Sequence, residues 1–271
     1  YKIATGDDLH NLAAAVNAGN AGSEMTFRQT ANINLTSGGN FTPIGLYNAS
    51  SGYQYFSGTY DGGDHTISGL TVNDNYFNAG LFGCVGVDGL VKNVRLVSPI
   101  VTSSYSDASV AALIGFARQC TIENCLIVSP NVSATTSSYH NDVGALVGKL
   151  MNGTIKNSFV ISPIVSAEGF NSCMGAIIGL QTNGTLQNLY FYDGNLNIAI
   201  GEVDGSGSGT NVGRARKVTI GSGITSVTPA INPTVTSLDN GFVYNDDSYY
   251  REGLVLTIAT NLSEQTGYHI T

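Results

Sequence analysis

The chain has 271 residues, of which 42% are hydrophobic, and this length and apolar content supply a sizeable core without disulfides or metals. Charged residues make up only 11% and glycine occurs 34 times, a composition that favours many short strands joined by tight turns. Because the net charge is -8 and the 11 Lys and Arg residues are scattered, we expect no nucleic-acid partner. The longest apolar run, residues 110–116, is too short to cross a bilayer, so we expect no membrane insertion.

The first predicted element is a helix over residues 5–19. Thr5 and Asp8 form a start that resembles a capping box, and Gly19 marks the end. Four apolar residues share one face of this helix: Leu9, Leu12, Ala13 and Val16. A solenoid has an exposed edge at each end, so we expect the helix to cover the first coil of the repeat that follows.

Short coils are predicted next, in residues 41–45 (Phe-Thr-Pro-Ile-Gly), 56–62 and 66–70, and they lead into an internal repeat. Gly-Leu-Phe-Gly at residues 80–83 recurs as Ala-Leu-Ile-Gly at 112–115, Ala-Leu-Val-Gly at 145–148 and Ala-Ile-Ile-Gly at 176–179. The repeat of about 32 residues lacks helical periodicity and has room for three short strands. Because crossovers between parallel strands are almost always right-handed, the sequence predicts an all-β, right-handed parallel β-helix.

An asparagine follows each closing glycine by nine or ten residues. The four are Asn93, Asn124, Asn157 and Asn188. An apolar residue stands two positions before each of them and another three positions after, so the apolar columns are predicted to stack inside the solenoid. A polar row at a fixed position could be a binding site, but stacked amides also satisfy one another at a bend. We interpret the row as a structural ladder that holds the coils in register.

The repeat also carries an aromatic residue six to ten positions before each closing glycine. These residues are Tyr76 or Phe77, Tyr105, Tyr139 and Phe170, and two acidic residues follow closely, Asp107 and Asp142. Exposed rings along one edge can stack on sugar faces, while carboxylates accept hydrogen bonds from sugar hydroxyl groups. The alternative is that the rings fold back on one another and close the loops. The sequence therefore gives a candidate binding edge and leaves both interpretations open.

The early coils and the Gly-Leu-Phe-Gly series together resemble the GLUG-repeat surface proteins of bacteria, over roughly residues 1–200. This resemblance implies a right-handed β-helix in an exported, adhesin-like protein at the cell surface. Tyr1 opens without a signal-peptide pattern, so we expect the mature or a trimmed form of such a protein. Some members of the family join their repeats to zinc metallopeptidases of the immunoglobulin-A-cleaving type, whose His-Glu-x-x-His motif does not occur in this sequence.

The repeat fades after Tyr192. The Gly/Ser-rich residues 204–211 are interpreted as a linker or wide loop, which places the β-helix in residues 1–203. Strands are predicted at residues 218–220, 242–244 and 254–258, so residues 212–271 form a small β domain or C-terminal cap.

Metal and cofactor chemistry is not expected from the residue spacing. The cysteines Cys84, Cys120, Cys125 and Cys173 lack CxxC pairs and neighbouring histidines, and the sequence predicts free, buried thiols without a metal site or cofactor. The four histidines, His10, His65, His140 and His269, are dispersed.

The acidic residues of the repeat do not fall in one column, which argues against a glycan lyase or hydrolase. We therefore expect a monomeric, non-enzymatic protein that binds a glycan or a host or matrix protein. A passive display stalk and, less favoured, a polysaccharide-active enzyme are the alternatives.

Overall fold

A computed structural model describes residues 1–63, 65–136, 140–192, 194–206 and 208–214, followed by six separate strands between residues 217 and 270. The first part begins with these elements: β1 Lys2–Ile3, α1 Gly6–Asn17, β2 Thr26–Gln29, β3 Ile33–Asn34, a 3-10 turn at Thr36–Gly38, β4 Tyr47–Asn48, β5 Gly52–Tyr53, β6 Thr59–Asp61, β7 Thr66–Ser68 and β8 Thr71–Asp74.

The repeat region contains the following strands: β9 Asn78–Ala79, β10 Phe82–Val85, β11 Leu90–Lys92, β12 Arg95–Val97, β13 Ile100–Ser103, β14 Ser109–Ala111, β15 Ile114–Arg118, β16 Thr121–Glu123, β17 Leu126–Val128, β18 Asn131–Ala134, β19 Asp142–Gly144, β20 Val147–Met151, β21 Thr154–Ile161, β22 Ile164–Ala167, β23 Cys173–Gly175, β24 Ile178–Thr182 and β25 Thr185–Tyr192. After it come β26 Ile200–Asp204, β27 Ser208–Arg214, β28 Lys217–Ile220, β29 Thr234–Val235, β30 Phe242–Asn245, β31 Ser248–Arg251, β32 Val255–Ile258 and β33 His269–Ile270.

The strands form a parallel β-solenoid of about five turns, which confirms the predicted β-helix fold. Each full coil passes through four parallel sheets. Sheet I has twelve strands and contains β11, β12 and their equivalents; sheet II is β10-β15-β20-β24-β26; sheet III is β8-β13-β18-β22; sheet IV is β9-β14-β19-β23. The expectation of three strands per coil was wrong, because the two- and three-residue strands of sheet IV, just before the recurrent glycine motif, are too short to show a period.

The recurrent motif occupies the corner between sheets IV and II. Its third residue forms a column that runs through the protein, in the register Phe82, Ile114, Val147, Ile178, Ile200. All five side chains are buried in one continuous hydrophobic core. Stacking of like apolar residues in register therefore holds successive coils together.

The N-terminal helix forms as predicted. Thr5 Oγ1 accepts a hydrogen bond from the Asp8 amide at 3.2 Å, and Asp8 Oδ2 accepts one from the Thr5 amide at 2.9 Å, which completes a capping box. The four predicted apolar residues of the helix are buried in the same core as the coils. Within the described part of the chain, no helix has both the length and the apolar content to cross a membrane.

Residues 204 and 208–211 of the segment predicted to be a linker or wide loop lie in strands. Strand β26 extends sheet II beside β24, and β27 pairs with β25 in sheet I, with Val212 buried in the core. The solenoid thus continues beyond residue 203. Residues 198–201 (Ile-Ala-Ile-Gly) provide a further copy of the recurrent motif, but this coil is shorter than the others and breaks the interval of 31 to 33 residues.

Strands β28 to β33 follow as two-stranded pairs. The pairs β28–β32 and β29–β33 are parallel, and β30–β31 is an antiparallel hairpin. The three sequence-predicted strands of this region correspond to β28, β30 and β32.

The asparagine row lies at the bend inside sheet I. All four residues have a left-handed backbone, with φ between 51° and 55°, a conformation that asparagine tolerates better than most residues. Asn124 Nδ2 donates to Asn93 Oδ1 at 3.4 Å, and Asn188 Nδ2 donates to Asn157 Oδ1 at 2.9 Å. Asn93 Nδ2 in turn donates to Asp61 Oδ1 at 2.8 Å. The side-chain amides therefore link neighbouring coils in two segments.

We expect Asn157→Leu to lower the free energy of unfolding by about 1 to 3 kcal/mol, because it removes the hydrogen bond that Asn188 Nδ2 donates to Asn157 Oδ1 and with it a link between neighbouring coils. Asn152→Leu is the matched control, since Asn152 has the same backbone conformation, φ 54°, but is exposed. Urea denaturation followed by far-UV circular dichroism measures both variants. Equal losses would show that backbone strain, and not the amide ladder, accounts for the effect.

Candidate functional site

Six aromatic rings form a continuous surface feature beside the β4–β5 hairpin. We term it the aromatic strip, and its members are Tyr47, Tyr53, Tyr55, Phe77, Tyr105 and Phe116. Their ring centroids lie 4.9 Å apart for Tyr47 and Tyr53, 5.2 Å for Tyr47 and Phe77, 5.4 Å for Phe77 and Tyr105, 5.2 Å for Tyr53 and Tyr55, and 5.6 Å for Tyr53 and Phe116. The hairpin supplies the middle of the strip, and the coils supply its two ends.

A cleft of about 330 Å³ opens along this strip. It is lined by Leu46, Tyr47, Asn48, Ala49, Asn75, Tyr76, Phe77 and Tyr105. Tyr47 is 39% exposed, and Asn48 and Asn75 are also exposed. Asn48 Oδ1 already accepts hydrogen bonds from the Ser50 and Ser51 amides, and Asn75 Oδ1 accepts one from Ser104 Oγ. The cleft therefore combines aromatic faces with exposed side-chain amides whose Nδ2 atoms can donate hydrogen bonds to a ligand.

Burial shifts the pKa of two tyrosines in the strip. It raises the pKa of Tyr53 to about 12. Burial also raises the pKa of Tyr55, although a hydrogen bond from Arg118 opposes the shift. A phenol of ordinary pKa, about 10, is already protonated at neutral pH, and the shift extends this range to more alkaline pH. Both hydroxyls are therefore neutral groups that can donate hydrogen bonds.

A second cluster of functional side chains lies where sheet IV meets sheet II. His140 Nε2 is 2.7 Å from Asp142 Oδ1, and Cys173 Sγ is 3.6 Å from His140 Nε2. Cys173 Sγ also donates to Glu202 Oε2 at 2.9 Å, and Lys149 Nζ lies 3.7 Å from Asp142 Oδ2. Burial raises the pKa of Asp142, and the charges of Lys149 and His140 oppose that shift. These residues could hold a metal ion.

Comparison with known proteins supports the architecture. No family model matches the chain, and no curated protein matches it either. A solved structure is similar. It is that of a candidate immunoglobulin A1 protease from Bacteroides ovatus, with a TM-score of 0.50 and 16% sequence identity over 80% of this chain and 75% of the other. At this identity the similarity shows the fold alone.

The residues of the predicted binding edge lie at several different places in the structure. Tyr76 and Tyr105 come together at the cleft, and Tyr105 packs edge-on against Phe77, so its ring is half-buried. Asp107 is exposed in the same loop as Tyr105. Phe170 is 80% exposed on a later coil. Tyr139 lies outside the described residues.

Asp142 does not line the cleft. It is buried, with a side chain only 5% exposed, and belongs to the second cluster. The predicted alignment of the loops failed because they differ in length: the segment between sheets III and IV spans residues 104–108 in one coil and 135–141 in the next.

Several residues of the aromatic strip were not predicted from the sequence. Tyr47, Tyr53 and Tyr55 belong to a hairpin that lies outside the repeat, and Phe116 occupies a column whose next members are Lys149 and Leu180. A usable signal was present, because Asn48 to Gly52 form a turn-prone segment flanked by tyrosines.

The four cysteines are free and buried, as predicted. The inference that they have no histidine at ligand distance was wrong for Cys173, because folding brings His140 next to it from the preceding coil.

Proposed function

We propose that this protein is a non-enzymatic, adhesin-like binding protein of the bacterial cell surface and that the cleft along the aromatic strip holds a neutral glycan. The observation that carries the proposal is the combination of half-exposed aromatic rings and exposed amides around one cleft. The resemblance of residues 1–200 to GLUG-repeat surface proteins supports the same interpretation and an exported location.

Aromatic faces favour sugars because the apolar C–H face of a pyranose can lie flat on a ring, while its hydroxyls bond to polar groups at the rim. The rings of Tyr47 and Tyr105 each pack against Phe77 and line the cleft, and the exposed Asn48 and Asn75 side chains can donate hydrogen bonds from Nδ2. The volume of about 330 Å³ lies at the small end of ligand clefts and suits one or two sugar units.

Charge points to a neutral ligand. The residues that line the cleft in the described structure are all uncharged at neutral pH, so an acidic glycan would find no cation to pair with among them. Asp107 is exposed just beyond Tyr105, where its carboxylate can accept a hydrogen bond from a sugar hydroxyl.

A glycan array with the purified chain and a Tyr47→Ala/Tyr105→Ala variant tests the proposal. With about 1 kcal/mol for each aromatic contact, we expect the double variant to bind its glycan about 30-fold more weakly. Phe170→Ala is the matched control, because it removes an exposed ring that is not part of the strip. Circular dichroism and a thermal melt establish that all variants are folded.

Three results would contradict the proposal. Equal glycan binding by the double variant would place the site elsewhere. A blank array for every protein, together with blank matrix-protein wells, would favour a display stalk. Cleavage of a bound glycan, or of immunoglobulin A1, would identify an enzyme.

A further inference from the structure

The second cluster joins side chains from three successive parts of the solenoid. Asp142 in β19 and Cys173 in β23 are direct partners in the register of sheet IV, so their side chains stand side by side on neighbouring coils. His140 lies two residues before Asp142, and Glu202 reaches the group from β26 of sheet II. The ligand atoms of His140, Asp142 and Cys173 all lie within 4.8 Å of one another.

We propose that His140, Asp142 and Cys173 form a zinc-binding site and that Glu202, which contacts only Cys173 of these three, moves toward the ion to complete it as a fourth ligand. This site is independent of the proposed glycan cleft, since none of these residues lines that cleft.

The kinds of ligand favour zinc. Thiolate, imidazole and carboxylate are its usual protein ligands, at about 2.3, 2.0 and 2.1 Å in a tetrahedral arrangement. A thiolate also disfavours calcium and magnesium, which select oxygen ligands. The cluster therefore offers one sulfur, one nitrogen and two carboxylate oxygens to a cation that accepts all three types.

Three distances in the cluster can be compared with those of a tetrahedral site. Bonds of that length place a sulfur and a nitrogen ligand about 3.5 Å apart and a nitrogen and an oxygen about 3.3 Å apart. The distance from Cys173 Sγ to His140 Nε2 is 3.6 Å, which already fits. The distances of 2.7 Å from His140 to Asp142 and 2.9 Å from Cys173 to Glu202 must each lengthen by about 0.6 Å.

The required movement falls on the side chains that are most free to move. The His140 side chain is 39% exposed and Glu202 is exposed, whereas Asp142 and Cys173 are buried and held by strand pairing. Two fixed ligands and two adjustable ones allow the site to close around an ion without shifting the backbone.

Charge balance also favours a divalent cation. A thiolate and two carboxylates carry three negative charges, which are costly to bring together in a partly buried site. A bound zinc ion reduces the net charge of these ligands from three negative charges to one. The ammonium group of Lys149 neutralises the one that is left. Its Nζ contacts Asp142 Oδ2, which leaves Oδ1, the oxygen nearest His140, for the metal.

Metal titration of the purified 271-residue chain, after treatment with a chelator, tests the site. We expect one Zn²⁺ per chain by calorimetry and, with Co²⁺ in its place, a thiolate-to-cobalt charge-transfer band in the near ultraviolet. Cys173→Ala should abolish that band and weaken zinc binding by at least about 100-fold, the upper end of the loss seen when only an outer-shell partner is removed. Cys120→Ala, which removes another buried thiol, should change neither.

Zinc should also raise the melting temperature of the unaltered chain and of Cys120→Ala, but not that of Cys173→Ala. If Cys173→Ala does not fold, His140→Ala replaces it in the zinc-affinity and melting measurements, because that side chain is partly exposed. It should weaken zinc binding and reduce the rise in melting temperature. Failure of the unaltered chain to take up Zn²⁺, or a cobalt–thiolate band that persists without Cys173, would overturn the proposal.

Discussion

Gly148→Ala is expected to destabilise the solenoid by about 3 kcal/mol or more, at or beyond the upper end of ordinary overpacking. A methyl group at this position would lie 2.6 Å from the Val110 amide nitrogen and 2.7 Å from the Gly115 carbonyl oxygen. Both atoms belong to strands that are paired with coils on either side, so neither can move without breaking its own hydrogen bonds. Chemical denaturation, or a loss of soluble expression, measures the effect.

The cause is steric and does not depend on an unusual backbone at Gly148. Gly38→Ala provides the contrast, because its nearest neighbour is the end of the His10 side chain at 3.4 Å, which can turn away. We expect Gly38→Ala to change stability by less than about 0.5 kcal/mol, as is usual for surface substitutions. A Gly148→Ala protein as stable as the unaltered chain would show that sheets IV and II can separate at this corner.

This close approach explains why the glycine period predicted the fold. The closing residue of each motif lies where two sheets meet backbone to backbone, and this contact leaves room only for glycine. The sequence therefore has a glycine at this position once in every coil. The Ala-for-Gly exchange at the first motif position, as in residues 112 and 145, left the period intact because the closing glycine was retained.

The aromatic strip was only partly predictable, for a physical reason. A repeat period reveals only the residues that recur in every coil. The strip, in contrast, depends on a single hairpin that precedes the repeat. Phe77 and Tyr105 were found because they stand in repeat loops. Tyr47 and Tyr53 have no equivalents in later coils, so no column could indicate them.

The amino-acid sequence contains a signal that predicts the second cluster. Asp142 and Cys173 are 31 residues apart, which is one coil, and this interval alone predicts that they are neighbours on adjacent strands. The cysteines were compared with one another, whereas the informative comparison was between each cysteine and the residues one coil before it. His140, which precedes Asp142 by two residues, would then have joined the same group.

The column of third motif residues gives the second large effect. We expect Phe82→Ala to lower the free energy of unfolding by about 3 to 5 kcal/mol, because it removes a fully buried ring from the core. The Phe82 ring lies 5.2 Å from Phe56 and 5.4 Å from Tyr60, and its backbone pairs with Ile114 of the next coil. Denaturation in urea, fitted as a two-state transition, gives the value.

The matched control is Phe170→Ala, which removes the same side chain from a position that is 80% exposed. Its stability should stay within about 0.5 kcal/mol of the unaltered chain. The difference between the two variants then measures burial in the column, since the chemical change is identical. A small loss for Phe82→Ala would mean that the neighbouring coils collapse into the space, and the stacked column would not be the main source of cohesion between coils.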